Sequence, residues 1–320
     1  MSTASSIIRD ISDTARWAAV FRAQEDQRAD ALFRDPFAMR LAGPRGFEIA
    51  GTLSNQGHRA CWVLRTYLFD QMIARAMLTG VDTVINLGAG LDTRPYRMGL
   101  PRSLHWVEVD RPEILDYKEE MLASEKPLCS LERIGLDLLN REQRLAFFRQ
   151  MNRRSKRILI VCEGVLIYFR PEEAAALASE LAGQCHFEHW IFEVVSPGVL
   201  DTMNRTAARH LGQTGISFQF GPSEGPAFFE RYGWKLAEAQ SVLKTAIRLG
   251  RTPIDPGAHT LMPDVPPAGE NSLPWVGVCL LHSLFNSQRR LPSRRSDSQH
   301  RERSGSGDGQ IRHQFSCANS

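Results

Sequence analysis

The sequence predicts an α/β fold, a mostly parallel sheet with helices on both faces. Three observations carry that prediction. From Val81 onward short apolar runs alternate with helical segments, the pattern of strands joined by crossover helices. The first run, Thr83 to Leu87, ends in the turn Gly88-Ala89-Gly90, whose glycines permit positive φ and close approach of a ligand. Polar residues then stand at the ends of successive runs, at Asp110, Asp137 and Glu163, where sheets of this kind bind their ligands.

Three helical segments precede the first strand. Asp13 to Gln24 and Ala29 to Leu41 carry helical patterning, the second interrupted by Asp35-Pro36, and proline is best placed in a helix's first turn. Arg59 to Leu78 follows, with Val63, Tyr67, Met72 and Met77 at helical intervals and Gly80 as a stop. This prefix exceeds what a bare nucleotide-binding unit needs, so residues 1–80 are expected to form a helical cap over the substrate side.

Strands are expected at 83–87, 104–109, 131–136, 157–162 and 189–195. Helices are expected at 92–98, 112–124, 141–151, 171–183 and 198–211. Beyond Pro197 the pattern changes: 212–226 is rich in Gly, Gln, Ser and Phe, 227–232 suits a short helix, and 234–242 suits a strand. The proline-crowded stretch 251–274 reads as loop, and 275–284 as the last strand. A core domain over 81–285, with an insertion at about 212–274, is the expected organisation.

Composition narrows the function classes. An apolar fraction of 42% and a charged fraction of 23% are those of an ordinary globular chain. No apolar run approaches the roughly 20 residues that span a bilayer, and the first residues lack a basic start and long apolar core, so no membrane association and a cytoplasmic location are expected. The six cysteines form no C-x-x-C pair and no zinc-finger spacing, and no metal is expected. The net charge of +3 is unevenly placed: residues 286–320 hold seven arginines against three acids, +4, which leaves about −1 on the body. A nucleic-acid partner is therefore not expected. That tail is poor in aliphatics and reads as disordered.

The glycine turn can be asked which nucleotide it suits. In the dinucleotide fingerprint G-x-G-x-x-G the third glycine would fall at Thr93, so close helix packing under a pyrophosphate is not provided for. Asp92 adds a negative charge beside the turn, which would repel a diphosphate and suit a ligand with a cationic end, such as S-adenosyl-L-methionine. Asp110, closing the next apolar run, stands where an acid can accept from both ribose hydroxyls. Glu163 follows the apolar run Ile158 to Cys162, where an unpaired carboxylate is costly, so it should face a cationic group, either the cofactor's amino group or its sulfonium region.

An ordered set of motifs extends these residues: Thr14-Ala15-Arg16-Trp17, Asp35-Pro36-Phe37-Ala38, Arg65-Thr66-Tyr67-Leu68-Phe69-Asp70, Asn86 through Arg97, Glu108 through Pro112, and Glu163 through Tyr168. In them the chain resembles the leucine carboxyl methyltransferase family, in its branch of bacterial S-adenosyl-L-methionine-dependent O-methyltransferases, over about residues 13–285. The resemblance implies a Rossmann-like class I methyltransferase fold. It implies that Gly88, Ala89 and Gly90 pass beneath the amino-acid end of the cofactor, that Asp110 takes the ribose, and that Asp137 and Leu138 hold the adenine. It implies further that Arg65 grips the cofactor carboxylate, as a guanidinium fork suits, and that Tyr168 borders the acceptor pocket. The family continues after the acid-leucine pair with arginine and an Asp-Trp pair, whereas here Leu139, Asn140 and Arg141 follow. Asp137 also reads as a cap of the next helix.

The expected reaction is methyl transfer to a carboxylate or hydroxyl of a small molecule. A carboxylate is ionised near neutral pH and needs no base; a hydroxyl does, and no catalytic base stands out. Methylation of a protein's C-terminal carboxylate and a non-catalytic cofactor-binding protein are the alternatives.

Overall fold

The computed structural model describes residues 11–52, 56–211, 217–252, 254, 263–265, 268–269 and 274–287. Helices α1 (Ile11–Asp26), α2 (Ala38–Thr52) and α3 (Gln56–Met77) come first. Then follow β1 (Thr83–Leu87), α4 (Arg94–Arg97), β2 (His105–Asp110), α5 (Pro112–Met121), β3 (Ser130–Gly135), α6 (Arg141–Arg154), β4 (Ile158–Cys162), α7 (Pro171–Ala182) and β5 (Phe187–Val195). The remainder holds α8 (Pro197–Leu211), β6 (Trp234–Ser241), α9 (Val242–Arg248), β7 (Val276–Ser283) and α10 (Leu284–Ser287), with short 3-10 turns at Leu166–Tyr168 and Gly225–Tyr232.

The seven strands form one sheet in the order β3-β2-β1-β4-β5-β7-β6. The first five pair in parallel, and β7 runs antiparallel between β5 and β6. Burial on both faces explains why the central strands are continuous apolar runs. In β4, Ile158, Ile160 and Cys162 join the core beneath α6 and α7, whereas Leu159 and Val161 join the core beneath α3 and α9. Order reverses at β1 and β4, so the ends of these two strands flank the natural crevice.

Several local expectations differ from the structure. Residues 28–37 do not continue into a helix. Carboxylates of Glu25, Asp26 and Asp35 accept the amides of Leu32, Asp35 and Phe37 at 2.8, 2.9 and 3.3 Å, and such local bonds compete with helix formation. Helix α2 instead begins at Ala38 and kinks at Gly43, where φ is 58° and Pro44 follows. The helix expected at 92–98 shrinks to Arg94–Arg97. Helix α9 was not expected; Ser241 caps it by accepting the Lys244 amide at 3.2 Å. The readings of 212–216, of most of 255–273 and of the tail from 288 lie outside the described residues.

Candidate functional site

The chain turns back after β1 with Gly88 at φ 69° and Gly90 at φ 46°. A Cβ on Gly88 would lie 2.8 Å from the Val165 side chain, so this position needs glycine for space as well as for φ. The amides of Gly88 and Ala89 donate to the Val109 carbonyl at 2.8 and 3.1 Å, and that of Gly90 to Asp110 Oδ2 at 2.6 Å. These three donors, which a dinucleotide site would turn on phosphate, are all occupied by the end of β2. The second Asp110 oxygen accepts from the Arg111 amide at 2.8 Å. Burial raises the pKa of Asp110, and the amides of Gly90 and Arg111 oppose that rise. A carboxylate has about four acceptor positions, so the pair used here leaves capacity for a diol.

Asp92 carries less free charge than the sequence implied. Its oxygens accept from Asn86 Nδ2 at 2.7 Å, Arg94 Nη1 at 2.8 Å and the Arg94 amide at 2.9 Å. Burial pushes its pKa upward, and Arg94, with lesser help from Lys118 and Arg97, overcomes this and keeps it ionised. Asp92 therefore presents no bare negative charge, contrary to the expectation from sequence: Arg94 neutralises it, and what disfavours a diphosphate is the occupied amides of the turn.

Arg94 was quoted in the sequence motif without a role. Its side chain is only 2% exposed and pairs with Asp70 at 2.6 Å, Asp92 at 2.8 Å and Glu163 at 2.7 Å. Two of these partners come from α3 and the end of β4, so only the folded chain assembles the set. Arg97 adds a second contact to Asp70 at 2.7 Å.

Glu163 was expected to face a cation of the cofactor; in the structure the cations beside it are the chain's own arginines. Besides Arg94, its Oε1 accepts from Arg65 Nε at 3.1 Å and Thr66 Oγ1 at 3.2 Å. Burial works to raise its pKa, and Arg94 and Arg65 outweigh it and hold the acid below the ordinary glutamate range. Arg65 also lies over the Trp62 ring at 4.4 Å and reaches Glu193 on β5 at 3.4 Å.

Asp137 is exposed and accepts from the Leu139 amide at 2.9 Å, while Leu138 is buried. The cap of α6 is Asn140, which accepts from the Gln143 amide at 3.2 Å, so Asp137 is not consumed by that role. Tyr168 places its hydroxyl 3.3 Å from Thr14 Oγ1 and tilts against Phe218.

All eight residues singled out as a cofactor site, Arg65, Gly88, Ala89, Gly90, Asp110, Asp137, Leu138 and Glu163, line one cleft of about 240 Å³ together with Tyr168. Helix α1 supplies another wall through Thr14, Ala15 and Ala18, and Arg22 ties that helix to the turn by donating to the Leu91 carbonyl at 2.6 Å. Among the described residues no group of three or more His, Cys, Asp or Glu is arranged to hold a metal ion, and no helix is long and apolar enough to cross a membrane.

The profile of the leucine carboxyl methyltransferase family matches residues 15–182. A relative from Frankia alni, provisionally named an S-adenosyl-L-methionine-dependent methyltransferase, is 34% identical over 53% of this chain and 63% of its own length. A second relative from Frankia alni with the same provisional name is 29% identical over 74% of this chain and 88% of its own length. In the first of these alignments the chain thus spans less than two thirds of its relative. Among solved structures, one from Thermobifida fusca provisionally named a methyltransferase superposes with a TM-score of 0.55 at 15% identity, covering 86% of this chain and 96% of its own. A DUF574-family protein from Streptomyces avermitilis superposes with a TM-score of 0.51 at 13% identity, covering 84% and 97%. These two likenesses are of fold.

Proposed function

Because this chain belongs to the leucine carboxyl methyltransferase family, we propose that its cleft binds S-adenosyl-L-methionine and directs the methyl group to a carboxylate or hydroxyl oxygen of a small molecule. The observation that carries the reading is convergence. Residues from α3 and from the ends of β1, β2, β3 and β4 line a single cleft, and they would serve an amino acid, a ribose and an adenine.

The residues present fit that group. A Cβ on Gly88 would run into Val165 at the cleft wall, and buried Asn86 Oδ1 at the cleft floor has no hydrogen-bond partner among the described residues. Asp110 would accept the ribose hydroxyls on its remaining lone pairs, Asp137 the exocyclic amine of the adenine, and Leu138 would cover the ring. Arg65 would hold the carboxylate and Glu163 the ammonium at the amino-acid end. When bound, the cofactor supplies an electrophilic methyl group on a sulfonium.

The chain's contribution is alignment and exclusion of water, which weigh heavily where charge disappears in an in-line displacement. Helix α1 and the turn carrying Tyr168 close over the glycine turn and shield that end of the cleft. A carboxylate acceptor would need nothing further from the protein.

The test is incubation of the purified chain with methyl-labelled cofactor and a panel of carboxylic acids, phenols and alcohols. Label in an extractable ester or ether supports the reading. Label found only in added protein redirects it to C-terminal carboxyl methylation, and cofactor binding without any transfer points to a non-catalytic role.

A further inference from the structure

At the cleft floor three guanidiniums, those of Arg65, Arg94 and Arg97, meet four carboxylates, those of Asp70, Asp92, Glu163 and Glu193. One negative charge is therefore in excess; the adjoining Arg22–Asp35 pair is neutral by itself. The four acids are not equally held. Asp70, Asp92 and Glu163 each have an arginine within 2.6 to 2.8 Å, whereas among the described residues Glu193 pairs only with Arg65, at 3.4 Å. Its Oε1 also accepts the Gly164 amide at 2.6 Å, and its buried Oε2 has no partner among the described residues.

We propose that Glu193 is a positioning residue for the amino-acid end of the ligand: it holds Arg65 and the Gly164 turn while the cleft is empty, and takes up a solvent proton when a ligand carboxylate claims Arg65. The proposal rests on the cofactor reading above. Its physical basis is charge balance. Arg65 spends Nε on Glu163 and Nη1 on Glu193, so a third carboxylate beside it would face two others in a buried setting. The weakest-held acid is the one that neutralises. Once protonated, Glu193 still accepts the Gly164 amide, so the turn stays in place.

The surroundings let this group titrate alone. Burial, opposed by Arg65 and reinforced by Glu163, lifts Glu193 to about 7. Facing it are Arg65 and Cys61 from α3, Cys162 and Glu163 from β4 and its end, Tyr168 beyond them, and Cys279 from β7. Burial raises the three thiols and the phenol, and the two arginines hold Glu163 ionised. Around neutrality Glu193 is thus the member of this group that changes charge.

The experiment is calorimetric titration of S-adenosylhomocysteine into wild type and Glu193→Gln, across pH and in buffers of different ionisation enthalpy. The ligand's own amino group titrates alike in both, so their difference isolates Glu193. Wild-type affinity should fall by up to about tenfold per pH unit above about pH 7 relative to the Gln variant, with uptake approaching one proton at about pH 8. Decarboxylated S-adenosylmethionine, which leaves Arg65 unclaimed, should bind wild type without that uptake. Binding with equal pH slopes in the two proteins, or without proton uptake by wild type, overturns the role of Glu193 and leaves the cofactor reading standing. Absence of binding by wild type overturns both.

Discussion

Asp110 Oδ2 holds the Gly90 amide at 2.6 Å, so the acid at the end of β2 fixes the glycine turn at the end of β1. The same carboxylate accepts from the Arg111 amide at 2.8 Å. Asp110→Asn replaces one acceptor by a donor that must face an amide. We expect a loss of about 1–3 kcal/mol in stability together with at least tenfold weaker S-adenosylhomocysteine binding, read by urea unfolding and by calorimetry.

Gly88→Ala meets two obstacles, a φ of 69° and a Cβ 2.8 Å from Val165. The left-handed backbone alone costs roughly 1–2 kcal/mol. Gly99→Ala serves as the control, because nothing lies within 4 Å of its Cβ; thermal unfolding should show a drop for the first substitution and none for the second.

Arg94→Met would remove the arginine from Asp92 and leave Asp70 and Glu163 with one each, Arg97 and Arg65. Removing one member of a buried ion pair costs about 3–5 kcal/mol, and the expected result is a chain that unfolds at much lower urea. Arg94→Lys should not restore it, since a compact ammonium does not span the three positions at which Nε, Nη1 and Nη2 meet their carboxylates.

Asp137 and Asn140 separate binding from stability. Asn140 caps α6, so Asn140→Ala should lower stability by about 1 kcal/mol and leave ligand affinity intact. Asp137 is exposed and does not cap the helix. Asp137→Ala should weaken cofactor binding while moving the unfolding midpoint little.

Glu193 gives a pH signature in the unliganded protein. Burial lifts its folded pKa to about 7, above the ordinary glutamate value of 4.5, so between these values the folded chain binds a proton that the unfolded chain does not. Stability falls as pH rises through that window. Glu193→Gln should exceed wild type by up to about 3 kcal/mol at about pH 8 and match it near pH 4. Paired urea titrations at the two pH values check this.

The parts of the fold written in local pattern were legible. Strands such as Ile158–Cys162 are buried on both faces, which forces a continuous apolar run, and the two glycines and Asp110 mark where β1 and β2 end. Less legible were features set by distant partners. The segment 28–37 has helical composition, yet Arg22 draws Asp35 at 2.9 Å and the local acids take its amides. The apolar run at β7 identified a strand, but its antiparallel place between β5 and β6 depends on pairings that no local period encodes. In the site, Arg94 resembled one more helix arginine because its acids stand 24 and 69 positions away at Asp70 and Glu163. Asp92 differs: its cation stands only two positions on, at Arg94, but no local pattern shows that this side chain turns back onto it. Glu193 went unremarked in an apolar strand; the signal was present, since an acid within Trp190-Ile191-Phe192-Glu193-Val194-Val195 demands a partner.

The decisive measurement is calorimetric titration of S-adenosyl-L-methionine into the wild-type chain, Asp110→Ala and Gly88→Val. Saturable one-site binding to wild type that is lost in both variants is the result expected of a cleft built on the turn between β1 and β2. No binding to wild type, or unchanged affinity in both variants, would contradict it.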